Sequence, residues 1–306
     1  MVSVGVTHGQ PITVVVVTWN SASVLGGLLD SLPAGMEGTA WTLVIADNGS
    51  ADGTLEVARQ AAPDASLVEL GRNRGFAAAV NRAVQSADVA TDILLLNPDV
   101  RLAPRCAARL AMRLRTSPQP NRRVGIAVPR LLDGAGEPTP TLRHEPSIPR
   151  VLAETILGAR RAGRWGVGET ILASDAYSRP TVAPWASGAA MMISRECLST
   201  CGAWDESFFL YSEDTEFALR ARERGFLTEL APDARAVHLG GASRRDPRLW
   251  SLLAVNKWEL YRRRHGPLRA GLFRVACVAR ELRQAAAGHS PGAAAARALM
   301  RSPARR

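Results

Sequence analysis

The chain has 306 residues, of which 46% are hydrophobic and 22% charged, so it can bury a sizeable core. No apolar run approaches the ~18 residues that cross a membrane. The first ten residues also lack the basic and apolar stretches of a secretory signal. We therefore expect a globular protein of one large or two modest domains, with neither a membrane span nor a signal peptide.

The positive charge is concentrated at the carboxyl end. The whole chain carries a net charge of +10, but residues 244–306 hold 15 Lys and Arg against 3 Asp and Glu, so residues 1–243 are close to neutral. Such a segment can bind nucleic acid or an anionic lipid surface, or can simply be solvated. The four cysteines show neither metal-site nor disulfide spacing, which favours reduced thiols in the cytoplasm.

Strands and helices are predicted to alternate through the first hundred residues. The run at 12–18 is apolar and β-branched throughout, which is typical of a strand buried on both faces of a parallel sheet. Further strands are predicted at 41–46, 66–70 and 92–96, with helices between them. This alternation predicts a doubly wound, Rossmann-like, mostly parallel α/β sheet.

Polar residues follow each of these four strands. They are Thr18 and Asn20, then Asp47, then Arg72 and Asn73, and finally Asn97 and Asp99. Ligands of such sheets bind at the carboxyl ends of the strands, although turn chemistry alone would explain any one of these loops. No glycine-rich phosphate-binding motif is present, so a metal ion is expected to meet any nucleotide phosphates.

The second half of the chain is less regular. A helix is predicted at 104–116 and a strand at 124–128, after which residues 129–184 are expected to form an insertion or mobile segment over the site, with a helix at 148–161. A strand is predicted from Trp185 to about residue 193. Two short strands are predicted at 227–230 and 234–239, the second carrying His238.

Three carboxylates lie at the start of a predicted amphipathic helix, namely Glu213, Asp214 and Glu216. An apolar stretch with Phe208, Phe209 and Tyr211 precedes them. A carboxylate beside an apolar wall suits a general base, because burial raises its basicity. The alternative is that all three are favourable charges in the first turn of a helix, worth ~0.3–1 kcal/mol each.

Basic amphipathic helices are predicted at 250–264 and 268–283, followed by a disordered tail from about residue 285. Such helices can lie on an anionic membrane, or can pack on the domain with a solvated basic side. We divide the chain into a main domain at 1–243, with an amino-terminal half at 12–128 and a second half at 185–243. Basic helices at 244–286 and a tail at 287–306 complete it.

Taken together, the chain resembles family 2 glycosyltransferases of the GT-A fold, and within them bacterial rhamnosyltransferases that extend polyprenyl-linked glycans. The similarity spans about residues 12–258. The matching stretches are VVTWN (16–20), ADNGSADGT (46–54), RNRGFAAAVN (72–81), LLNPDV (95–100), WASGA (185–189), FFLYSEDTEFALR (208–220) and HLGGAS (238–243).

The resemblance implies that residues 12–128 form the nucleotide-sugar half, or donor half, of a glycosyltransferase domain at 1–243, and that residues 185–243 form its acceptor and catalytic half. It also implies a role for each matching residue of the donor half. Asp47 is expected beside the base or ribose of the nucleotide, with Thr18 and Asn20 in the same pocket. Arg72 and Asn73 are expected to approach the nucleotide, and Asn81 to support their loop.

The resemblance also implies a metal site and a catalytic base. Asn97-Pro98-Asp99 stands in the place of the family's D-x-D motif, with Asn97 replacing the first Asp, so Asp99 is expected to be the main carboxylate on Mg²⁺ or Mn²⁺. His238 is expected to complete the metal site, and Asp214 matches the base. Trp185, Glu213 and Glu216 are expected to support the site or contact the acceptor.

The resemblance thus implies an inverting, metal-dependent transferase that uses a nucleotide sugar, with dTDP-L-rhamnose as the expected donor. The acceptor would be a lipid-linked or cell-envelope glycan at the cytoplasmic membrane face, where the basic end could bind anionic lipid. Three alternatives remain open: a transferase for galactose, mannose, N-acetylglucosamine or a small acceptor, an Arg-rich nucleic-acid-binding protein, and a catalytically silent scaffold.

Overall fold

A ten-stranded mixed sheet forms the centre of the computed structural model, which describes residues 11–87, 91–240 and 246–302. The strands are β1 (Ile12–Thr18), β2 (Trp41–Asp47), β3 (Ser66–Glu69), β4 (Asp92–Leu96), β5 (Val100–Leu102), β6 (Arg123–Leu132), β7 (Pro138–Thr139), β8 (Leu142–Arg143), β9 (Thr181–Ala183), β10 (Trp185–Ala186), β11 (Ala190–Ile193) and β12 (Phe226–His238). The sheet order is β3-β2-β1-β4-β11-β6-β12-β5, with β7 beside β6 and β9 beside β12, while β8 and β10 form a separate pair.

Helices cover both faces of this sheet, and, among the described residues, three further helices follow its last strand at the carboxyl end of the chain. They are α1 (Ala22–Gly35), α2 (Thr54–Ala61), α3 (Phe76–Ser86), α4 (Cys106–Leu114), α5 (Ile148–Leu157), α6 (Ala159–Arg164), α7 (Arg195–Cys201), α8 (Glu213–Glu223), α9 (Pro247–Arg264), α10 (Pro267–Ala286) and α11 (Ser290–Arg301). Of the helices in the described ranges, none combines the length and hydropathy needed to cross a bilayer.

The amino-terminal half is the predicted doubly wound sheet. Strands β3, β2, β1 and β4 are parallel, and every residue of β1 is buried. Val15 and Val17 face one core layer, whereas Val14 and Val16 face the other. Because side chains alternate along a strand, an unbroken β-branched run fills both layers at once.

Three predicted elements of the second half differ from the observed ones in their continuity. The strand expected from Trp185 onward is two strands in different sheets, because the chain leaves β10 and re-enters the main sheet as β11. The two strands expected at 227–230 and 234–239 are one strand, β12, whose register with β6 shifts between Ala231 and Arg235. The helix expected at 148–161 is broken at Gly158, whose φ of 80° ends α5.

Residues 129–184 form regular elements that pack on the rest of the protein, so the expectation of an irregular segment is wrong. Buried ion pairs join this segment to the carboxyl-terminal helices. Lys257 of α9 contacts Glu169, and Arg280 of α10 contacts Glu154 at 2.9 Å. Arg280 also pairs with Glu281 at 2.6 Å. Buried charges of this kind are tolerated because each has a partner of opposite sign.

The tail predicted to be disordered contains helix α11, so that prediction is wrong for residues 290–301. Ala295, Ala296 and Leu299 are buried in this helix, and Leu299 belongs to a cluster with Trp258 and Phe273 of the two preceding helices. Its small residues allow close packing, which a reading based on charge and low complexity does not detect. Residues 303–306 lie outside the described part of the chain.

Candidate active site

Asp99 and His238 meet at the carboxyl edge of the sheet. Asp99 lies just after β4 and immediately before β5, which pairs with the end of β12, so that Val100 lies opposite His238. His238 Nε2 is 3.3 Å from Asp99 Oδ1, and the backbone N–H of Gly240 donates to Asp99 Oδ2 at 3.0 Å. Burial acts to raise the pKa of Asp99, but the hydrogen bonds and charge of its neighbours prevail and lower it.

This pair fits one part of a divalent metal site. A carboxylate and an imidazole facing each other are suitable ligands for Mn²⁺, and Mg²⁺ is commonly held by one or two carboxylates plus substrate phosphates. Within the described residues, no group of three or more His, Cys, Asp and Glu side chains could hold a metal ion. The remaining ligands would therefore come from a diphosphate and water. Residues 241–243 of the HLGGAS motif lie outside the described residues.

The short turn between β10 and β11 joins two predicted parts of the site. Gly188 donates its backbone N–H to Asp214 Oδ2 at 3.0 Å, and the next carbonyl, that of Ala189, accepts the backbone N–H of Asn97 at 2.9 Å. The turn therefore links the predicted base directly to the Asn97-Pro98-Asp99 segment. A Cβ at residue 188 would lie 3.2 Å from Asp214 Cβ, so glycine allows this close approach.

Asp214 is held as a hydrogen-bond acceptor at the start of α8. Its Oδ1 accepts from the backbone N–H of Thr215 at 2.7 Å and from the Thr215 hydroxyl at 3.2 Å. Its side chain is half-buried but densely surrounded by protein. Burial raises the pKa of Asp214 despite these hydrogen bonds. A carboxylate in this state is a stronger proton acceptor than a solvated one, as a general base requires.

The two glutamates beside Asp214 have different environments. Glu213 is 5% exposed, and its Oε2 makes no hydrogen bond. Burial first, and then the charge of Asp214, raise the pKa of Glu213 to about 8. Glu216 instead forms a two-pronged ion pair with Arg220, at 2.9 and 2.8 Å. These contacts are compatible with the predicted supporting role of Glu216, whereas contact with an acceptor stays a prediction.

A strained turn precedes these carboxylates. Tyr211 and Ser212 have φ values of 67° and 73°, in the left-handed region that ordinary residues avoid. Asn256 of α9 stabilises the turn, because its side-chain N–H group donates to the carbonyl oxygens of Leu210 at 2.8 Å and Tyr211 at 3.3 Å. Strain of this kind persists only where surrounding contacts fix it. The carboxyl-terminal helices thus determine where α8 begins.

Trp185 lies on the β8–β10 side of the same turn. Its indole N–H donates to the carbonyl oxygen of His144 at 3.0 Å, and the Arg143 guanidinium lies 6.0 Å from its ring centre. The backbone N–H of His144 donates to the carbonyl of Glu169, which pairs with Lys257. Trp185 is therefore connected to α9 through a short series of contacts.

The aromatic residues before α8 are only in part as predicted. Phe208 packs in a separate cluster with Leu219 and Leu260, and the Arg263 guanidinium lies 4.6 Å from its ring centre. Phe209 is 44% exposed, and its carbonyl accepts the backbone N–H of Phe76 at the start of α3. Phe208 therefore joins α8 to α9, and an effect of these rings on Asp214 stays a prediction.

Asp47 organises the loop after β2. Its Oδ1 accepts from the Thr18 hydroxyl at 2.9 Å and from the Ser50 hydroxyl at 2.5 Å. Its Oδ2 accepts from the backbone N–H groups of Gly49 and Ser50 at 3.1 and 2.8 Å. The carboxylate is 2% exposed. The structure thus brings Thr18 and Asp47 together as predicted, while contact between Asp47 and a nucleotide stays a prediction.

The neighbouring loops of the donor half are also joined. Asn20 accepts the backbone N–H of Ala51 at 2.8 Å, which connects the loops after β1 and β2. Asn48 is not among the predicted site residues, but its side chain accepts the backbone N–H of Arg74 and donates to the carbonyl of Gly75. It thereby fixes the loop that carries Arg72.

Arg72 is exposed at this edge, and Asn73 Oδ1 accepts the backbone N–H of Gly75 at 3.0 Å. The side chain of Asn81 points elsewhere than this loop. It exchanges two hydrogen bonds with the backbone of Trp204, at 2.8 and 3.0 Å. Asn81 thus positions the segment leading to α8, a contact across 123 positions that no local pattern reveals.

Comparison with known proteins shows the family of this chain. The family described as "Glycosyltransferase like family 2" matches residues 8–265. The N-acetylglucosaminyl-diphospho-decaprenol L-rhamnosyltransferase of Mycobacterium tuberculosis is 30% identical over 236 residues, which cover 74% of this chain and 75% of that protein.

Solved structures share the fold. The mannosyltransferase PcManGT from Pyrobaculum calidifontis, in complex with GDP-Man and Mn²⁺, superposes with a TM-score of 0.57 at 21% identity and covers 94% of this chain and 79% of its own. Glucosyl-3-phosphoglycerate synthase from Mycobacterium tuberculosis, with Mn²⁺ and UDP, gives a TM-score of 0.52 at 18% identity, with coverage of 84% and 81%. The fold class predicted from the sequence is confirmed.

Proposed function

This chain belongs to glycosyltransferase-like family 2, and from that premise we propose that it is an inverting, metal-dependent transferase of L-rhamnose from dTDP-L-rhamnose. The acceptor in this proposal is a lipid-linked or cell-envelope glycan. The observation that carries the proposal is the turn at Gly188 and Ala189. It places Asp214 beside the segment that contains Asn97 and Asp99.

Asp214 is the general base in this mechanism. Oδ2 accepts one hydrogen bond and Oδ1 two from the protein, so the carboxylate is fixed in orientation. It would take the proton from the acceptor hydroxyl as that oxygen attacks the anomeric carbon. Attack from the side opposite the leaving group gives inversion, and one positioned base contributes roughly 10²–10⁴-fold to the rate.

Asp99 and His238 are the residues that would hold the divalent ion. When bound there, the ion would neutralise the charge that develops on the departing diphosphate. Despite its burial, Asp99 has a lowered pKa, so this carboxyl is ionised at neutral pH and can bind a cation. Arg72 is exposed at the same edge of the sheet, and we propose that it contacts the nucleotide together with Asn73.

The mycobacterial relative supports the choice of sugar and acceptor, since it is named as an L-rhamnosyltransferase that acts on N-acetylglucosaminyl-diphospho-decaprenol. A second candidate is transfer of another sugar, which is favoured by neighbours solved with GDP-Man or UDP. Because a polyprenyl carrier is a membrane lipid, we also propose that the protein acts as a peripheral protein at the cytoplasmic membrane face.

One experiment separates these donors. Thermal unfolding would be measured with Mn²⁺ and a panel of nucleotide sugars that includes dTDP-L-rhamnose, UDP-N-acetylglucosamine and GDP-mannose. A rise in Tm with dTDP-L-rhamnose alone supports the proposal, because a ligand that binds only the folded state stabilises it. A rise with a different nucleotide sugar alone would replace rhamnose by that sugar. Transfer to a GlcNAc-diphospho-lipid, with the product configuration read by NMR, tests the acceptor and the inversion.

A further inference from the structure

The outward face of α10 is apolar along most of its length. Leu268, Leu272, Val275 and Leu282 are 77%, 54%, 68% and 50% exposed, and Ala279 is exposed between the last two. Their spacing of three and four residues places them on one side of the helix. We call these five residues the α10 stripe. It spans about 21 Å at a rise of ~1.5 Å per residue.

The opposite side of α10 is fully occupied. Phe273 and Cys277 are buried in the cluster that includes Trp258 of α9 and Leu299 of α11. The helix is therefore held firmly by the protein core and does not need the stripe for its own packing. A contiguous exposed apolar face of this kind marks an interaction site.

Arginines flank the stripe. Arg269 and Arg283 are exposed on α10 itself. Arg283 Nη1 also lies 3.5 Å from the carbonyl oxygen of Glu154, which places the end of α5 beside the carboxyl end of the stripe. The chain continues there into α6, where Arg160, Arg161 and Arg164 are exposed and line one open cavity.

The same surface exposes no carboxylate among the described residues of α5, α6, α10 and α11 or of the link from α6 to residue 169. The acidic residues of these segments are Glu154, Glu169 and Glu281, and all three are buried in ion pairs with Lys257 or Arg280. The outward charge is thus entirely positive. Arg274 does not contribute, since it donates to the carbonyl oxygens that end α11.

We propose that the α10 stripe and its flanking arginines dock on an anionic phospholipid bilayer, with α10 lying in the plane of the interface. Leucine and valine side chains would enter the boundary of the acyl chains, and the arginine guanidinium groups would meet lipid phosphates. Apolar burial and attraction to anionic headgroups together set the strength of such binding. From the sequence, the basic helices could either lie on a membrane or pack on the domain, whereas the proposed docking concerns one face of α10.

This face is connected rigidly to the catalytic segment. Helix α10 packs against α9, and Asn256 of α9 holds the turn before Asp214. Docking would therefore fix the orientation of the base relative to the membrane surface. That consequence rests on the proposed function, because it matters only for a lipid-linked acceptor, but membrane binding itself does not.

The test uses the full chain and sedimentation with vesicles. Wild type should bind vesicles of equal parts phosphatidylglycerol and phosphatidylcholine and should not bind pure phosphatidylcholine. Changing Leu272→Glu together with Val275→Glu should lower the bound fraction about tenfold or more, because two charges must then enter the interface. Met112→Glu is the matched control, since Met112 is 61% exposed on α4, and it should bind as wild type does.

A second pair of variants tests the charges. Arg161→Glu with Arg164→Glu should weaken binding to the anionic vesicles and reduce its dependence on salt. Arg105→Glu, immediately before α4, should change neither. Failure of wild type to bind anionic vesicles, or unchanged binding by the Leu272/Val275 variant, would overturn the proposal. So would a concentration-dependent dimer, seen by light scattering, that disappears in that variant while vesicle binding is absent.

Donor binding distinguishes the two proposals. The Leu272/Val275 variant should keep the Tm shift given by the nucleotide sugar, because its changes lie on exposed positions of α10. If wild type fails to bind vesicles but keeps the Tm shift, only the proposal of a docking surface is refuted. If wild type binds vesicles but shows no Tm shift with any nucleotide sugar, only the proposed donor is refuted.

Discussion

Asn256, buried in α9, donates its side-chain N–H to the carbonyl oxygen of Leu210 at 2.8 Å, and Leu210 lies four residues before Asp214. This contact joins the carboxyl-terminal helices to the segment that carries the proposed base and stabilises the left-handed turn at Tyr211 and Ser212. Replacing Asn256→Ala removes the two donated hydrogen bonds, at a cost of roughly 1–3 kcal/mol to the fixed turn. We expect kcat to fall about tenfold with little change in donor KM, as measured by initial rates of sugar transfer.

Ser251→Ala is the control for this variant. Ser251 is on the same helix, and its hydroxyl donates to the carbonyl of Pro247 one turn earlier. Its activity should equal that of wild type. Wild-type activity of the Asn256→Ala protein would show that the turn keeps its geometry without the hydrogen bonds from Asn256.

Asp214→Asn removes the proposed base while keeping the size of the side chain. Its single amide oxygen can replace only one of the two carboxylate oxygens, so either Gly188 or Thr215 loses its acceptor. This change is local to the start of α8 and leaves the contacts of Asp47 intact. We expect kcat to fall roughly 10²–10⁴-fold with donor affinity preserved. The check is a single-turnover transfer assay beside calorimetric titration of the donor. Wild-type transfer by this variant would eliminate Asp214 as the base.

Gly188→Ala tests the close approach of the turn to the base. The added Cβ would lie 3.2 Å from Asp214 Cβ and 3.3 Å from Oδ2, so one of the two elements must move by a few tenths of an ångström. A displaced base should lower kcat by about tenfold. Gly26→Ala, inside α1, is a suitable control, because the nearest atom to its added Cβ would be 4.0 Å away on Val57. The prediction fails if both alanine variants transfer sugar at the same rate.

The buried Glu213 should make stability depend on pH. Its pKa is raised from 4.5 to about 8 in the folded protein, so the folded state holds a proton that the unfolded chain releases above pH 4.5. Its contribution to stability is therefore fully present below pH 4.5 and is lost as the pH rises through about 8. Glu213→Gln keeps a neutral side chain at every pH.

We expect the Glu213→Gln substitution to raise Tm relative to wild type more at pH 8 than at pH 5. A gain of about 1 kcal/mol corresponds to ~2–4 °C in a chain of this size. Glu216→Gln should show the opposite behaviour, because it breaks the ion pair with Arg220 and lowers Tm at both pH values. A pH-independent Tm difference between wild type and Glu213→Gln would contradict the raised pKa.

Metal removal tests the pair of Asp99 and His238. EDTA should abolish transfer, and added Mn²⁺ should restore it. His238→Ala should raise the Mn²⁺ concentration for half-maximal activity about tenfold or more, because it removes one of the two proposed protein ligands. Calorimetric titration of Mn²⁺ in the presence of the nucleoside diphosphate measures the same loss without turnover. Full activity in EDTA would exclude the metal from the mechanism.

The sequence alone predicted the parts of this protein that depend on local pattern. The β-branched run of β1 predicts a strand buried on both faces, because every position of such a run is apolar. The alternation of strands and helices predicts the doubly wound half of the sheet. The ordered motifs around Asp99 and Asp214 predict the family, since that order is a property of the chain itself.

Only the tertiary structure decided how distant residues act on one another. Asn81 and Trp204 are 123 positions apart, and Gly188 and Asp214 are 26 apart, so no periodic pattern connects them. The same holds for the basic helices. Their composition shows many arginines, but burial against Glu154 and Glu281 decides that Arg280 is internal and that the α10 stripe faces outward. Ion pairing and packing across the chain, rather than charge count, determine which part of the basic end is left exposed.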